Sequence, residues 1–290
     1  MVSSVTSLMI GIAICDWISM AVVVGIQPIA LSYYADECTP PPSYPTLILF
    51  NILLPIRDDV ITCSTWLSIL MTFIRWLSLK YKWDAAYKNV AFGFYSFGIS
   101  FLISSNLSIL KYLRTRIVEN GTWTPPIGCE NLGKIWMKYD IQASDFFNSF
   151  FLRVFNFVNG FLSRMLPSIL LPVLTLLLVL EIQWAKKQVI SSWSVVKKST
   201  DRTTTLVILV AITCFVANLP SGIFTLFQVI YTDIGFIKLS GFVDRYCNAI
   251  LTVNSIVHCV ICFIMSTDYR NVAKKMLRIQ SKTPRVSSVI

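Results

Sequence analysis

Six long apolar runs dominate the chain, and very few charged residues interrupt them. The runs cover residues 2–34, 47–79, 89–110, 154–180, 203–232 and 243–267. About 20 apolar residues in a helix cross the roughly 30 Å hydrocarbon core of a bilayer, so each run is long enough to span a membrane. With 55% hydrophobic and 14% charged residues, the composition is not that of an ordinary soluble domain. We therefore predict an all-α membrane protein with six spans.

The basic residues indicate which side of the membrane each loop occupies. Lys and Arg concentrate in the loops 80–88 and 181–202 and in the tail 268–290, which share one side if six spans alternate. The positive-inside rule assigns that side to the cytoplasm of a multi-pass plasma-membrane protein. The net charge of +10 thus reflects the orientation of the loops in the membrane. We therefore expect no nucleic-acid partner. The tail begins with apolar and basic residues on opposite helix faces, which predicts an amphipathic helix at the inner interface.

Two arginines mark the ends of a polar seam in the second run. Arg57 and Arg75 are eighteen residues apart, about five helical turns, so they share one helix face and lie about 27 Å from each other. Between them the same face carries Ile61, Ser64, Ser68 and Thr72. Such a seam should face other protein rather than lipid. We predict one arginine near each membrane surface.

Charged and polar residues gather at the outer ends of the second and sixth runs. In the sixth run, helical spacing aligns Asp244, Asn248, Leu251, Asn254 and His258. Asp244 either pairs with Arg57 or faces the ligand, and a local ion pair among Arg57, Asp58 and Asp59 is the competing interpretation. A free Arg57 suits a carboxylate or another anion, whereas a neutralised Arg57 leaves Asp244 to favour an amine.

Other functional classes lack their usual signals. A transporter typically shows repeated halves with interrupted helices, and the sequence has no evident internal repeat. An enzyme needs a catalytic or metal-binding cluster, whereas the chain has one histidine, His258, and no metal-ligand spacing. Most of the eight cysteines lie inside apolar runs, where they behave as small buried hydrophobes. We therefore expect no catalytic activity, no metal site and no cofactor.

Five stretches resemble one receptor family. They are residues 12–16, 38–44, 64–80, 166–172 and 254–270. The stretch 64–80 contains Ser-Thr-Trp-Leu and Ile-Arg-Trp, the stretch 166–172 reads Leu-Pro-Ser-Ile-Leu-Leu-Pro, and the stretch 254–270 begins with Asn-Ser-Ile-Val-His. In this order they resemble the second helix, first outer loop, and third, fifth and seventh helices of nematode serpentine chemoreceptors of class w. Those are rhodopsin-like G-protein-coupled receptors, similar to FMRFamide-type neuropeptide receptors. The resemblance implies an extracellular peptide or small-molecule ligand, a heterotrimeric G protein and a lipid bilayer as partners.

The resemblance also implies roles for residues of the inner half. The residues implied in activation are Arg75, Asp16, Asn254, Ser255, His258 and Pro220. Arg75 would lock the resting state and meet the G protein when the sixth helix of the family moves outward. Asp16 would form a polar relay with Asn254 and Ser255, which in relatives includes a sodium site. A contact between Asp16 and His258 is an equal alternative.

On the outer side, the resemblance implies ligand contacts and a disulfide. The ligand-contact candidates are Arg57, Asp244, Asn248 and Gln228. Phe50 stands where the family has a cysteine at the outer end of its third helix, so Cys38 is the available partner for Cys129. Cys247 is the competing partner. Asn120 of Asn-Gly-Thr lies on the same outer side, so we predict that it is glycosylated.

The chain departs from the family pattern at several positions. The six runs match helices two to seven, so we expect the first helix to be missing. Ile74 replaces the acidic residue before Arg75, and we expect a less tightly held resting state as a result. Asn218 replaces an aromatic residue, and His-Cys-Val-Ile-Cys at 258–262 replaces Asn-Pro-x-x-Tyr. The alternatives to a signalling receptor are a truncated, non-signalling remnant and, less favoured, a small-solute transporter.

Overall fold

Long helices account for most of the chain. A computed structural model describes residues 4–34, 38–81, 90–125, 128–129, 135–144, 149–188, 194–231 and 233–265. The helices are α1 (Ser4–Tyr34), α2 (Tyr44–Tyr81), α3 (Val90–Leu113), α4 (Ser149–Gly160), α5 (Leu166–Gln188), α6 (Ser194–Phe227) and α7 (Ile234–Met265). A π-helical turn, Phe161–Met165, joins α4 to α5 into one continuous segment. The six segments that result confirm the predicted six-helix membrane bundle.

The helices present apolar side chains outward, as a membrane protein requires. Within the described part of the chain, four segments are long and apolar enough to cross a bilayer: Ser7–Ala30, Tyr44–Tyr81, Ala91–Leu113 and Arg153–Trp184. A shorter apolar helical stretch is Ala211–Phe227. Large exposed hydrophobic residues include Trp17, Val24, Tyr95, Leu102, Phe150, Leu176, Val216 and Phe242. In water such surfaces would promote association, whereas in a bilayer they contact lipid.

Several helices differ in extent from the predicted spans. The fifth predicted span is residues 203–232, but α6 begins at Ser194 and ends at Phe227 in a turn. The sixth predicted span begins at residue 243, but α7 begins at Ile234. Helices continue past the hydrocarbon core into polar sequence, because their backbone hydrogen bonds are internal. The predicted amphipathic helix of the tail lies outside the described residues.

Helix α2 runs through the middle of the bundle and packs against α1, α3 and α5. The main apolar core forms where α1, α2 and α5 meet. Its buried residues are Leu8, Ile12, Cys15, Val60, Cys63, Leu67, Met71, Ile74, Leu178 and Ile182. A smaller cluster of Ile69, Leu171, Ala211 and Cys214 joins α2 to α5 and α6. The predicted polar seam therefore belongs to the most enclosed helix of the described bundle.

A two-stranded β-hairpin occupies the long connection after α3, and it has no counterpart among the sequence predictions. Strands β1 (Thr115–Trp123) and β2 (Trp136–Ala143) pair antiparallel. A bulge between Glu119 and Thr122 is accommodated by Gly121, which has a φ of 77°. The signal in the sequence is the density of aromatic and β-branched residues in both strands, which favours extended structure.

The π-helical turn brings the fourth helical segment close to α6. It ends at Met165, two residues before Pro167, whose missing N–H would otherwise bond the carbonyl of residue 163. The turn lies against Gly222, where an added Cβ would be 3.1 Å from the backbone nitrogen of Met165 and 3.3 Å from the Cβ of Arg164. Only glycine permits this approach without a backbone shift. The π-helical turn thus fixes where Arg164 enters the bundle.

Candidate functional site

An ion pair links the π-helical turn, α6 and α7. It lies in the half of the bundle that carries Arg57, which we call the outer half. Arg164 Nη1 lies 2.7 Å from Asp244 Oδ1, with side chains 15% and 40% exposed. Ser221 of α6 accepts a hydrogen bond from Arg164 and donates one to Asp244 over 2.7 Å. Asn248 donates to the other oxygen of Asp244 over 3.1 Å. Arg164 has no predicted role, although an arginine within an apolar run is itself a signal of function.

The predicted partners of Arg57 are occupied elsewhere. Asp244 pairs with Arg164, so the alternative in which Asp244 pairs with Arg57 is not formed in the structure. Arg57 forms no salt bridge with Asp58 or Asp59 either, because Asp58 lies 2.9 Å from Lys111 and Asp59 accepts a hydrogen bond from Ser105 over 3.0 Å. The charge of Asp58 still attracts Arg57 without direct contact. Consecutive residues of a helix point about 100° apart, so these three side chains face different neighbours.

Arg57 faces a cavity between α1, α2 and α7. Its Nη2 donates to Thr252 over 3.3 Å, while its buried Nε has no hydrogen-bond partner. The cavity has a volume of about 470 Å³. It is lined by Val22, Val23, Ile26, Ala30, Leu54, Arg57, Arg245, Asn248, Ala249 and Thr252. Among the lining residues that the structure describes there are two arginines and no acid. We call this space the outer cavity.

A second polar group lies deeper, where α1, α2 and α7 meet. Asp16 is 7% exposed and accepts hydrogen bonds from Ser64 over 3.1 Å and from Ser255 over 3.3 Å. Asp16 and Asn254 both line a small cavity of about 40 Å³. Asn254 accepts a hydrogen bond from Thr213 of α6 over 2.7 Å. Asp16, Asn254 and Ser255 are therefore brought together, whereas the side chain of His258 lies outside the described residues.

The polar seam of α2 faces inward, as predicted. Ser68 and Thr72 are buried and donate to the carbonyls four residues earlier, over 2.9 and 2.8 Å. Arg75 follows on the same side and is half-buried. Ile74 instead belongs to the main apolar core with Leu178 and Ile182. The position that is acidic in the family is therefore an apolar packing position in this protein.

The remaining candidates of α6 and α7 lie in different places. Pro220 is a half-buried residue within α6, directly before Ser221. Asn218 is buried, and its side-chain nitrogen lies 3.2 Å from the sulfur of Cys214. Gln228 lies in the turn after α6, donates to Ser240 over 2.7 Å and does not line the outer cavity. The geometry thus brings Arg57 and Asn248 together at the outer cavity, but not Gln228.

A further cavity of about 300 Å³ lies between α2, the end of α3, the hairpin and α4. Lys111 and Asp58 line it and are paired with each other. Arg114 donates to Asn156 over 2.5 Å, and burial lowers the pKa of the Arg114 guanidinium below its ordinary value. The cations of this cavity therefore already have partners within the protein.

The connection before α2 and the hairpin carry a disulfide and an exposed Asn-x-Thr motif. Cys38 and Cys129 are joined by a disulfide with a Cα–Cα distance of 5.5 Å, while Cys247 is free and buried. The aromatic rings of Tyr44 and Tyr139 lie 5.3 Å apart, which places the hairpin against the start of α2. Asn120 is exposed on β1. No group of three or more His, Cys, Asp or Glu with metal-binding geometry occurs among the described residues.

The comparisons with known proteins identify the family. Residues 1–280 match the family described as serpentine type 7TM GPCR chemoreceptor Srw. No curated protein matches the chain. The matched family consists of membrane receptors rather than enzymes, in agreement with the helical bundle and its outward apolar surface. The chain belongs to the Srw family of serpentine chemoreceptors, which are G-protein-coupled receptors.

Proposed function

We propose that the protein is a chemosensory or neuropeptide receptor that binds an extracellular ligand in the outer cavity and activates a heterotrimeric G protein. The observation that carries the proposal is the inward seam of α2, with Arg57 at the outer cavity, Ser64 bonded to Asp16, and Arg75 at the other end. One rigid helix thus connects a ligand-sized space to a basic group about 27 Å away. An outer cavity and an inner basic group on one helix are what a transmembrane receptor needs.

The contacts of α7 support a route from the ligand to α6. A ligand in the outer cavity would touch Asn248, which also bonds Asp244. Asp244 is connected through Ser221 to α6 and through Arg164 to the π-helical turn. A ligand that competes for Asn248 would weaken this connection and bias the position of α6. Pro220, which removes a backbone hydrogen bond beside Ser221, would let α6 bend there.

The deeper polar group would relay the change to the inner end. Asp16 bonds α2 and α7 at once, through Ser64 and Ser255, while Asn254 of α7 is bonded to α6. Oxygen atoms of the lining residues around a cavity of about 40 Å³ also fit the sodium ion that the family resemblance implies, which would be held by Asp16, Ser64 and Asn254. Sodium there would neutralise the carboxylate. Arg75 would then contact the G protein on its inner face.

The proposed setting is the plasma membrane, with the basic loops and the tail 268–290 in the cytoplasm. The positive-inside rule supports this orientation. Exposure of Asn120 on β1 supports glycosylation on the opposite side, because the acceptor must be reachable in the secretory lumen. The Cys38–Cys129 disulfide agrees with an oxidising outer compartment. Lipid, ligand and G protein are the proposed partners.

The test is a cell-based G-protein activation screen of the full chain against amidated peptides and small odorants. We expect at least one ligand to activate the receptor, and Arg75→Ala to abolish the response at equal surface expression. Arg153→Gln is the matched control, because Arg153 is exposed on α4, far along the chain from the seam. A chain that reaches the cell surface but responds to nothing would favour the non-signalling remnant.

Basal activity tests the departure at Ile74. We expect Ile74→Asp to lower basal signalling, since an acid beside Arg75 strengthens the resting lock. Because Ile74 is buried in the apolar core, the measurement is normalised to the amount of receptor at the cell surface. A rise in basal signalling per surface receptor would contradict the weakened-lock hypothesis.

A further inference from the structure

The charges around the outer cavity do not balance. The neighbouring acids each have another partner: Asp58 pairs with Lys111, and Asp244 with Arg164. Asp59 points to α3, where Ser105 donates to it. Arg57 retains only a long hydrogen bond to the neutral hydroxyl of Thr252. Its guanidinium is thus a cation in a partly buried place without a carboxylate in contact.

The guanidinium of Arg57 is incompletely hydrogen-bonded. This atom is removed from solvent and has no hydrogen-bond partner among the described residues. A buried donor left without an acceptor costs about 1–3 kcal/mol, and more when the donor is charged. Native structures rarely keep such a group unless a ligand or water completes it. The guanidinium fork matches the two oxygens of a carboxylate or a phosphate.

A second cation lines the same cavity. Arg245 lies on α7 on the face that also carries Asn248, Ala249 and Thr252, at helical spacings of three, four and seven residues. It has no ion pair with any described residue. The charges that act on Arg57 from outside the cavity lining are those of Asp58, Asp244 and Arg164. The described lining itself contributes two positive charges and no acid, so a bound anion is attracted by both arginines. The cavity therefore favours negative charge over an amine.

The other lining residues indicate the size and the apolar character of the uncharged part of the ligand. Val22, Val23, Ile26 and Ala30 of α1 and Leu54 of α2 form an apolar wall opposite the polar residues of α7. The volume of about 470 Å³ lies within the range of small-molecule sites, which is about 300–1,000 Å³. A long peptide would fill far more space than this, while a small organic molecule with one charged end fits both walls.

We infer that the outer cavity binds a small organic carboxylate, with its oxygens held by Arg57 and Arg245 and its apolar body packed against α1. This inference rests on the proposed receptor function, whose ligand class it specifies. The carboxylate accepts hydrogen bonds from the guanidinium of Arg57, which lines the cavity, and the apolar wall sets the preferred length of the hydrocarbon part. A neutral amide of the same shape lacks the negative charge and should bind more weakly, and an amine carries the opposite charge and should bind most weakly.

The test is direct binding to the full chain in nanodiscs of zwitterionic phosphatidylcholine. The probes are butyrate, octanoate and phenylacetate, each compared with its primary amide, together with octylamine. We expect at least one carboxylate to raise the thermal unfolding temperature and to bind about tenfold or more tightly than its amide, because a charge-assisted bond is stronger than a neutral one. Equal binding of carboxylates and amides, or binding of none of the carboxylates to the folded protein, would overturn the inference.

Variants assign the binding to the two arginines. Arg57→Gln should weaken carboxylate binding by about thirtyfold or more, the loss expected when a charged hydrogen-bond donor is removed. Arg57→Lys keeps the charge without the fork and should lie between the wild type and Arg57→Gln, and it serves if Arg57→Gln does not fold. Arg245→Gln should also weaken binding, whereas the matched control Arg153→Gln should not. Unchanged affinity in folded Arg57→Lys and Arg245→Gln would contradict the assignment.

Two further arms separate the possible failures. Repeating the measurement with phosphatidylserine in the nanodiscs tests whether a lipid headgroup supplies the anion, and loss of octanoate binding there would overturn a soluble carboxylate as the ligand. G-protein activation is measured separately in cells. Ligands that activate the receptor without any preference for negative charge would leave the proposed function intact and overturn this inference. Carboxylate binding that depends on Arg57, without G-protein activation, would support this inference and overturn the proposed signalling function.

Discussion

The outer half and the middle of the bundle handle buried polar groups in different ways. In the outer half, two pairs of full charges from different elements contact each other, Arg164–Asp244 and Lys111–Asp58, although Asp59 there is held by the hydroxyl of Ser105. In the middle, the single carboxylate of Asp16 is held by hydroxyl groups of Ser64 and Ser255. The cavities differ as well, with volumes of about 470 and 300 Å³ in the outer half and about 40 Å³ in the middle.

The difference indicates that the two levels of the bundle have different roles, which we call the proposed division of labour. Ion pairs between helices tolerate space around them, because their charges attract over several ångströms. Hydroxyl contacts act only at hydrogen-bond distance, so the middle must be closely packed to hold Asp16. The outer half is therefore suited to admit a ligand, while the middle is suited to respond to small shifts of α7. Each of the following changes tests one side of this comparison.

The largest expected effect is on the stability of the outer half. Arg164→Gln leaves Asp244 without its cation, and we expect the free energy of unfolding to fall by about 2–3 kcal/mol, less than for a fully buried pair because Asp244 is 40% exposed. Thermal unfolding in nanodiscs measures the change, with Arg153→Gln as the control. In a double-mutant cycle, Arg164→Gln and Asp244→Asn should cost less together than the sum of the two. Additive effects would mean that the pair is not coupled.

The close approach of α6 to the π-helical turn should be nearly as sensitive. Gly222→Ala places a Cβ 3.1 Å from the backbone nitrogen of Met165, and we expect a loss of about 1–3 kcal/mol from overpacking. The matched control is Gly241→Ala on α7, where an added Cβ meets nothing within 4 Å. The control should be neutral or slightly stabilising, since alanine favours helix. Equal unfolding temperatures for the two variants would refute the tight contact.

In the middle of the bundle, signalling should change more than binding. Asp16→Asn keeps the size of the side chain but removes the charge that Ser64 and Ser255 share. We expect G-protein activation to fall about tenfold, which corresponds to about 1.4 kcal/mol of coupling, with carboxylate affinity at the outer cavity unchanged. Paired activation and binding assays measure the two quantities, with Asp140→Asn on the exposed hairpin as the control. A parallel loss of affinity would erase the proposed division of labour.

The smallest effect should come from the second outer pair. Lys111→Gln breaks the pair with Asp58, but both side chains are partly exposed, at 25% and 29%. Water and salt screen such a pair, so we expect a loss of about 0.5–1 kcal/mol. Lys238→Gln, at an exposed position of α7, is the control for thermal unfolding. If Lys111→Gln destabilises the protein more than Arg164→Gln, the ranking of the two pairs is wrong.

The helices and the inward seam could be predicted from sequence, because both depend on local periodicity. The run of apolar residues sets the length of each span, and the spacing of Ser64, Ser68 and Thr72 sets the face that is buried. Asp16 and Ser255 could be grouped only through the family resemblance, since they are far apart along the chain. The hydrogen bond between Asp16 and Ser64 then follows from the packing of α1 against α2, and the one between Asp16 and Ser255 follows from the packing of α1 against α7.

The outer pairs could not be predicted in this way. The pairing of Asp244 with Arg164 depends on the π-helical turn and on Gly222, which periodicity does not reveal. Lys111 reaches Asp58 because α3 ends beside α2, and a sequence gives no measure of that distance. The hairpin was not predicted, since its strands are interrupted by a bulge and lie in a polar connection between much stronger helical signals.

The π-helical turn also affects how this receptor is compared with its relatives. A π-helical turn accommodates one more residue than an α-helical turn, so the faces of α5 are rotated by about 100° from where a count through α4 would place them. A relative with an uninterrupted α-helix here would need a one-residue gap near residues 161–165 to bring equivalent side chains into register. In an ungapped alignment, Arg164 would be matched with a residue of the relative that faces lipid. The alignment would then not show whether the relative has an ion pair equivalent to Arg164–Asp244.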